Sequence, residues 1–266
     1  MRRASTSAAA PMRRASTSAA SKQASLERAR ARGVTVPAII LARPHVPGNI
    51  GATCRAMANF GLHQLRVAAP ADDGWRTAPE AVARCAGADA LLERARRYDT
   101  VVDATTDTHY VVAASARRRA TPALDAATAA ASLVEASRRG LKTALLFGCE
   151  RDGLSTEELY CADAVVTLDT DREFSSLNLA TSVALLASAW RQADALKPAA
   201  PADDDPVALA DEDELAALHR RLEDELRGSV RDSALASLRR IVARAAPTPG
   251  DVSVLHAVLG ALVKGR

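Results

Sequence analysis

The sequence predicts an α/β fold: a mostly parallel sheet covered by helices on both faces, followed by a C-terminal helical domain. Three observations carry this. From Val36 to about residue 193, apolar runs of strand length alternate with helix-like segments. The runs are continuous rather than alternating, as in strands buried on both faces. Beyond a Pro-, Ala- and Asp-rich stretch come three more helix patterns with no strand between them.

Taken in order, VPAIILA (36–42) reads as a buried strand. HVPGNIGATCRAMANFG (45–61) then turns through Pro, Gly and Asn into a helix that stops at Gly61. Ile50, Cys54, Met57 and Phe60 share its apolar face, and Arg55 and Asn59 lie on the opposite one. LHQLRVAAP (62–70) is a second strand, followed by helices at 79–86 and 88–96. YVVAAS (110–115) is a third strand, 126–138 a helix and TALLF (143–147) a strand. Ser155 and Glu158 form a capping box for a short helix to Cys161. AVVTLD (164–169) is the last strand. The helix at 176–193 is apolar almost all round, which suits burial against the sheet on one side and a partner subunit on the other. Helices at 212–226, 231–245 and 249–263 close the chain, the last with Thr248 as N-cap and Pro249 at its first position. The expected divisions are a disordered tail (1–33), an α/β domain (34–194), a linker (195–210) and a helical domain (211–266).

The net charge of +3 is unevenly spread: residues 1–33 carry +7 and the rest −4. The tail is a near-duplication, MRRASTSAAAP then MRRASTSAASK, too polar to bury a core. It fits a bacterial tail or misplaced start, with Met12 as an alternative initiator, and it also fits a transit peptide. Local basic clusters at Arg94, Arg96 and Arg97, at Arg117–119, at Arg138, Arg139 and Lys142, and at Arg239, Arg240 and Arg244 suit a polyanion or simply solvated helix faces. Cys54, Cys85, Cys149 and Cys161 have neither CxxC nor zinc spacing, so reduced thiols and no metal are expected. No apolar run has the length of a membrane span.

Ligands of parallel α/β sheets bind beyond the carboxyl ends of strands. Three polar loops follow strands here: PGNIG, FGCERDG (147–153) and DREFSSLN (171–178). None is a GxGxxG or GxxxxGK[ST] phosphate loop, which removes the main support for dinucleotide or ATP chemistry. No GxSxG marks a nucleophilic serine. Taken singly, Ser175, Ser176 and Asn178 suit helix caps, and the glycines around Glu150 suit an ordinary turn.

Together the loops resemble the signature of the SPOUT superfamily, in the TrmH-family branch of RNA ribose 2′-O-methyltransferases. Asn49 and Arg55 stand six apart in NIGATCR; Phe147, Gly148, Glu150 and Gly153 form FGxExxG; Ser176, Leu177 and Asn178 form SLN before an apolar helix. SALASLRRIVARA and DVSVLHAVLGALV are similar to the closing helices of the TrmJ-type branch, which acts at nucleotide 32 of the tRNA anticodon loop. ASARRR (114–119) departs from that family's TSARxR at its first residue.

The resemblance implies a C-terminal trefoil knot, a cytoplasmic homodimer, a tRNA substrate and S-adenosylmethionine as methyl donor. It implies donor contacts at Ala114, Ser115, Ala116, Gly148, Leu168, Ser175, Ser176 and Leu177. It also implies Arg55 near the reacting hydroxyl, with Asn49, Glu150, Ser176 and Asn178 around it. Arg55 stays protonated, so it would stabilise the developing alkoxide and hold phosphate rather than act as a base. Glu150 would brace a loop. Methylation of another tRNA site or of rRNA, or a silent RNA-binding role, are the alternatives.

Overall fold

The computed structural model describes residues 35–116, 123–171, 173–196 and 208–264. The tail expected at 1–33, the arginines 117–119 and most of the expected linker (197–207) lie outside these residues.

Six strands form one sheet: β1 Ala38–Ala42, β2 Leu65–Ala68, β3 Arg96–Tyr98, β4 Tyr110–Ala114, β5 Thr143–Phe147 and β6 Ala164–Val166. Their spatial order is β3-β2-β1-β5-β4-β6, every pairing parallel. Alternation along β1 sorts two cores. Ile39 and Leu41 face a thick layer built by α1 (Pro47–Asn59), α2 (Pro79–Cys85), α3 (Asp89–Arg94), α5 (Ala126–Arg138) and α7 (Leu179–Leu196). Ala38, Ile40 and Ala42 face a thinner layer holding α4 (Val101–Ala104) and the segment around α6 (Thr156–Leu159).

Helix α1 starts at Pro47, whose missing N–H is harmless in a first turn. Ile50, Cys54 and Met57 are fully buried, while Arg55 and Asn59 are exposed. A Cβ on Gly51 would lie 2.0 Å from the Ala81 carbonyl oxygen, so only glycine lets α1 and α2 approach this closely. Helix α7 begins at Leu179, three residues later than the sequence pattern places it. Asn178 caps it, its Oδ1 accepting from the N–H groups of Ala180 (2.9 Å) and Thr181 (3.4 Å). Val183, Leu186, Ala187 and Trp190 enter the core, and Leu185 on the other face is 47% exposed.

The last three helices are α8 (Glu212–Leu226), α9 (Asp232–Arg244) and α10 (Pro249–Lys264). They share a small core of Leu215, Leu218, Leu222 and Val252. Two polar anchors fix them to the sheet. Glu212 accepts from Arg96 at 2.5 and 3.0 Å and from the Tyr98 hydroxyl at 3.3 Å. Arg240, 5% exposed, pairs with Asp163 and donates to the Thr108 carbonyl at 2.8 Å. Asp163 also accepts from the Val111 N–H at 2.8 Å, joining the anchor to the amino-terminal ends of β4 and β6. Arg97 pairs with Asp73 and Asp99, and Arg239 with Glu223. Four of the arginines that sequence alone offers to a polyanion, Arg96, Arg97, Arg239 and Arg240, are thus engaged within the chain.

Two short elements differ from the sequence pattern. Residues 96–98 form the edge strand β3 rather than the end of a helix, and Val101–Ala104 is a helical turn capped by Thr100. Among the described residues no helix is long and apolar enough to cross a membrane.

Candidate active site

A cleft of about 220 Å³ opens beyond the carboxyl ends of β4, β5 and β6. Residues 114–116 continue β4, residues 147–154 continue β5, and Leu168 with residues 175–177 belong to the segment between β6 and α7. The eight positions carried over as donor contacts, Ala114, Ser115, Ala116, Gly148, Leu168, Ser175, Ser176 and Leu177, all line it. Glu150 lines it too.

The floor is the turn after β5. The Gly153 N–H donates to the Cys149 carbonyl at 3.0 Å, and Gly153 takes φ +67°. A Cβ on Gly148 would lie 2.1 Å from the Gly153 carbonyl carbon, so the turn closes only over glycine. The β6 segment is tied to β4: the Ser115 N–H donates to the Val166 carbonyl (3.0 Å) and the Thr167 hydroxyl to the Ser115 carbonyl (2.9 Å).

One hydrogen-bond relay connects all three sequence loops. The Glu150 carboxylate accepts from the His45 N–H (3.0 Å), the Val46 N–H (3.3 Å) and the Asn49 amide (2.8 Å). Asn49 Oδ1 accepts from the Asn178 amide at 3.0 Å, and Asn178 caps α7. Burial alone would raise the Glu150 pKa. The His45 N–H, then the Asn49 amide and the Val46 N–H, outweigh it and hold the carboxyl below its ordinary value. Glu150 is therefore an ionised brace, poorly suited to accept a proton near neutrality. Ser176 lines the cleft with its hydroxyl unbonded among the described residues.

Arg55 is not brought to this cleft. It is exposed on α1, with Nη1 donating to the Ala86 carbonyl at 3.0 Å. Arg43 is a residue that sequence reading missed. It holds the β5 turn from outside, and one more arginine before a proline gives no motif signal.

The parallel sheet, the cleft at its carboxyl ends and the three joined loops define a class, and the chain belongs to the SpoU rRNA Methylase family, which matches residues 37–188. Within this class the chain is similar to tRNA 2′-O-methyltransferases called TrmJ. The tRNA (cytidine/uridine-2′-O-)-methyltransferase TrmJ of Salmonella typhimurium is 31% identical over 236 residues, 84% of this chain and 95% of that protein. The tRNA (cytidine/uridine/adenosine-2′-O-)-methyltransferase TrmJ of Pseudomonas aeruginosa is 38% identical over 159 residues, spanning 58% of this chain and 60% of that protein. The crystal structure of TrmJ from Z. mobilis ZM4 superposes with a TM-score of 0.66 at 34% identity, covering 86% of this chain and 99% of that one.

Proposed function

We propose that the protein is an S-adenosylmethionine-dependent ribose 2′-O-methyltransferase of tRNA, acting at nucleotide 32 of the anticodon loop in the cytoplasm. The observation that carries this reading is the Glu150–Asn49–Asn178 relay, which binds three separate loops into one wall of one cleft. TrmJ relatives supply the tRNA part, and the position within tRNA rests on resemblance to the TrmJ-type branch.

The cleft's chemistry fits the donor. Leu168, Leu177 and Ala114 offer apolar surface for a flat base, and main-chain groups with Ser115, Ser175 and Ser176 offer polar edges. Among the described residues its charged lining is Glu150, Asp152 and Arg151, a net −1 that complements a sulfonium donor of net +1. The donor would be held by Ala114, Ser115, Ala116, Gly148, Leu168, Ser175, Ser176 and Leu177. When bound it supplies a methyl group already activated on sulfonium, with a neutral thioether as leaving group.

The chain's own work is to position a ribose hydroxyl and to stabilise the alkoxide that forms as its proton passes to phosphate or water. Glu150 fixes the turns that carry Asn49 and Gly148, while Asn178 and Ser176 orient the third loop toward the ribose. Arg55 lies off the cleft of its own chain, which supports a homodimer in which α1 and α7 form the interface. There Arg55 holds phosphate and stabilises the alkoxide in the partner's cleft. The pairing of Leu124 with Val166, on the segment between β4 and α5, supports a trefoil knot around β6. We read residues 34–194 as the catalytic domain and 211–266 as the helical domain.

The test is methyl transfer to bulk tRNA and bulk rRNA with the modified nucleotide mapped. Label at tRNA nucleotide 32 is expected. The family's description favours a second reading, rRNA, and label there alone would replace the first.

A further inference from the structure

We propose that Arg43, outside every motif, is a positioning residue that sets the β5 turn and thereby the donor affinity of the cleft. The inference rests on the donor reading above. Arg43 directly follows β1 and takes φ +48°, a left-handed backbone that disfavours any residue with a Cβ. Its side chain makes three hydrogen bonds. Nε donates to Glu158 Oε1 at 2.7 Å, and Nη2 donates to Glu158 Oε2 at 3.0 Å and to the Gly153 carbonyl at 3.1 Å.

Each partner matters for the cleft. Gly153 is the residue against which Gly148 packs, so the Arg43 bond fixes the outer end of the turn that forms the cleft floor. Glu158 also accepts from the Ser155 N–H at 2.7 Å and completes the capping box of α6, so it is held from its own side as well. Two and three residues beyond Arg43, the His45 and Val46 N–H groups bind Glu150 at the inner end of the same turn. Residues 43–46 therefore staple the 148–158 segment at both ends; Glu150 and Gly153 lie in the FGxExxG motif, while Arg43 and Glu158 lie outside it. A fork-shaped guanidinium suits this task, because lysine cannot reach both Glu158 oxygens and the Gly153 carbonyl at once.

The backbone strain permits a test in which folding and positioning separate. Arg43→Gly removes the clamp while easing the left-handed backbone, and its Tm is measured beside donor binding, which is read well below the Tm of both proteins, so that a loss of folding is separated from a loss of positioning. Donor binding to the full chain is measured by calorimetry with S-adenosylmethionine. Amide exchange at 149–154 is followed in parallel.

Arg43→Gly should bind donor on the order of tenfold more weakly. The loss should appear in the donor KM more than in kcat, and exchange at 149–154 should quicken. Arg43→Lys should fall between the two, and adding Glu158→Gln to Arg43→Gly should weaken binding no further. Wild-type donor affinity with unchanged exchange in Arg43→Gly overturns the proposal. Failure of the wild-type chain to bind donor overturns the donor reading instead, a result that the exchange measurement keeps distinct.

Discussion

At the residue scale the site depends on one carboxylate and one missing side chain. Glu150 accepts three hydrogen bonds and its pKa lies below the ordinary carboxyl value, so the charge is present throughout the neutral range. Glu150→Gln keeps the shape but turns a donor toward at least one N–H group. It should cost about 2 kcal/mol of stability and lower methyl transfer at least roughly tenfold, read by urea unfolding and a tRNA assay. Full activity in that variant would remove the relay from the mechanism. Gly148→Ala drives a Cβ into the Gly153 backbone and should close the cleft to donor. Arg55→Ala contrasts with both: the side chain is exposed and, among the described residues, bonded to the Ala86 carbonyl alone. That variant should fold and bind donor normally yet lose methylation, by roughly a hundredfold if Arg55 stabilises the alkoxide. Near-normal turnover of tRNA would sink the assignment.

At the element scale, legibility followed burial. Strands β1 and β5 are continuous apolar runs and α1, α5 and α8 carry clear apolar faces, so the sequence pattern shows all five. Strand β3 was not legible. Of its three residues only Tyr98 is buried, and Arg96 and Arg97 look like the end of the helix before them. The three loops could be read as a set because each follows a strand, but their hydrogen-bonded connection could not, because it depends on side-chain geometry. Arg43 was invisible for the same reason. The roles of Arg96 and Arg240 as anchors were also hidden, since a basic cluster reads the same whether it meets RNA or a carboxylate. Arg240→Ala tests the second anchor. It leaves the Asp163 carboxylate buried with only the Val111 N–H at 2.8 Å and Arg244 at 3.5 Å. The cost should be about 3 kcal/mol or more. Amide exchange in α9 should rise, while donor affinity holds, because the anchor sits at the opposite end of β4 and β6 from the cleft. Weakened donor binding would contradict that separation.

At the scale of the whole molecule, the thinner layer of the sheet meets the helical unit at a seam that holds two buried histidines. His109 is 2% exposed and lies just before β4; burial, then the Lys142 charge, lowers its pKa to about 4, with Arg240 adding to this and Asp107 opposing it. Its Nδ1 accepts from the Lys142 N–H at 2.9 Å, a bond that protonation removes. His219 on α8 is 3% exposed, and burial, then Arg239 and Arg240, lower its pKa to about 4 as well. An unfolded histidine titrates near 6.5. Between pH 6.5 and 4 the unfolded chain therefore binds protons that the folded chain does not, and stability falls as pH falls. Each histidine should withdraw up to roughly 2 kcal/mol by pH 5, with little change above pH 7. Because the Arg240 anchor bonds the Thr108 carbonyl beside His109, and Arg239 and Arg240 both face His219, acid should loosen the helical unit before it melts the sheet. Urea unfolding at pH 7.5, 6.5, 5.5 and 5.0, with exchange followed separately in α8 and β5, should show this order. His219→Phe should flatten the pH slope over that range. A wild-type stability that does not change from pH 7.5 to 5.0 would mean that neither histidine is held neutral by the fold, and the seam would then have no acid-sensitive step.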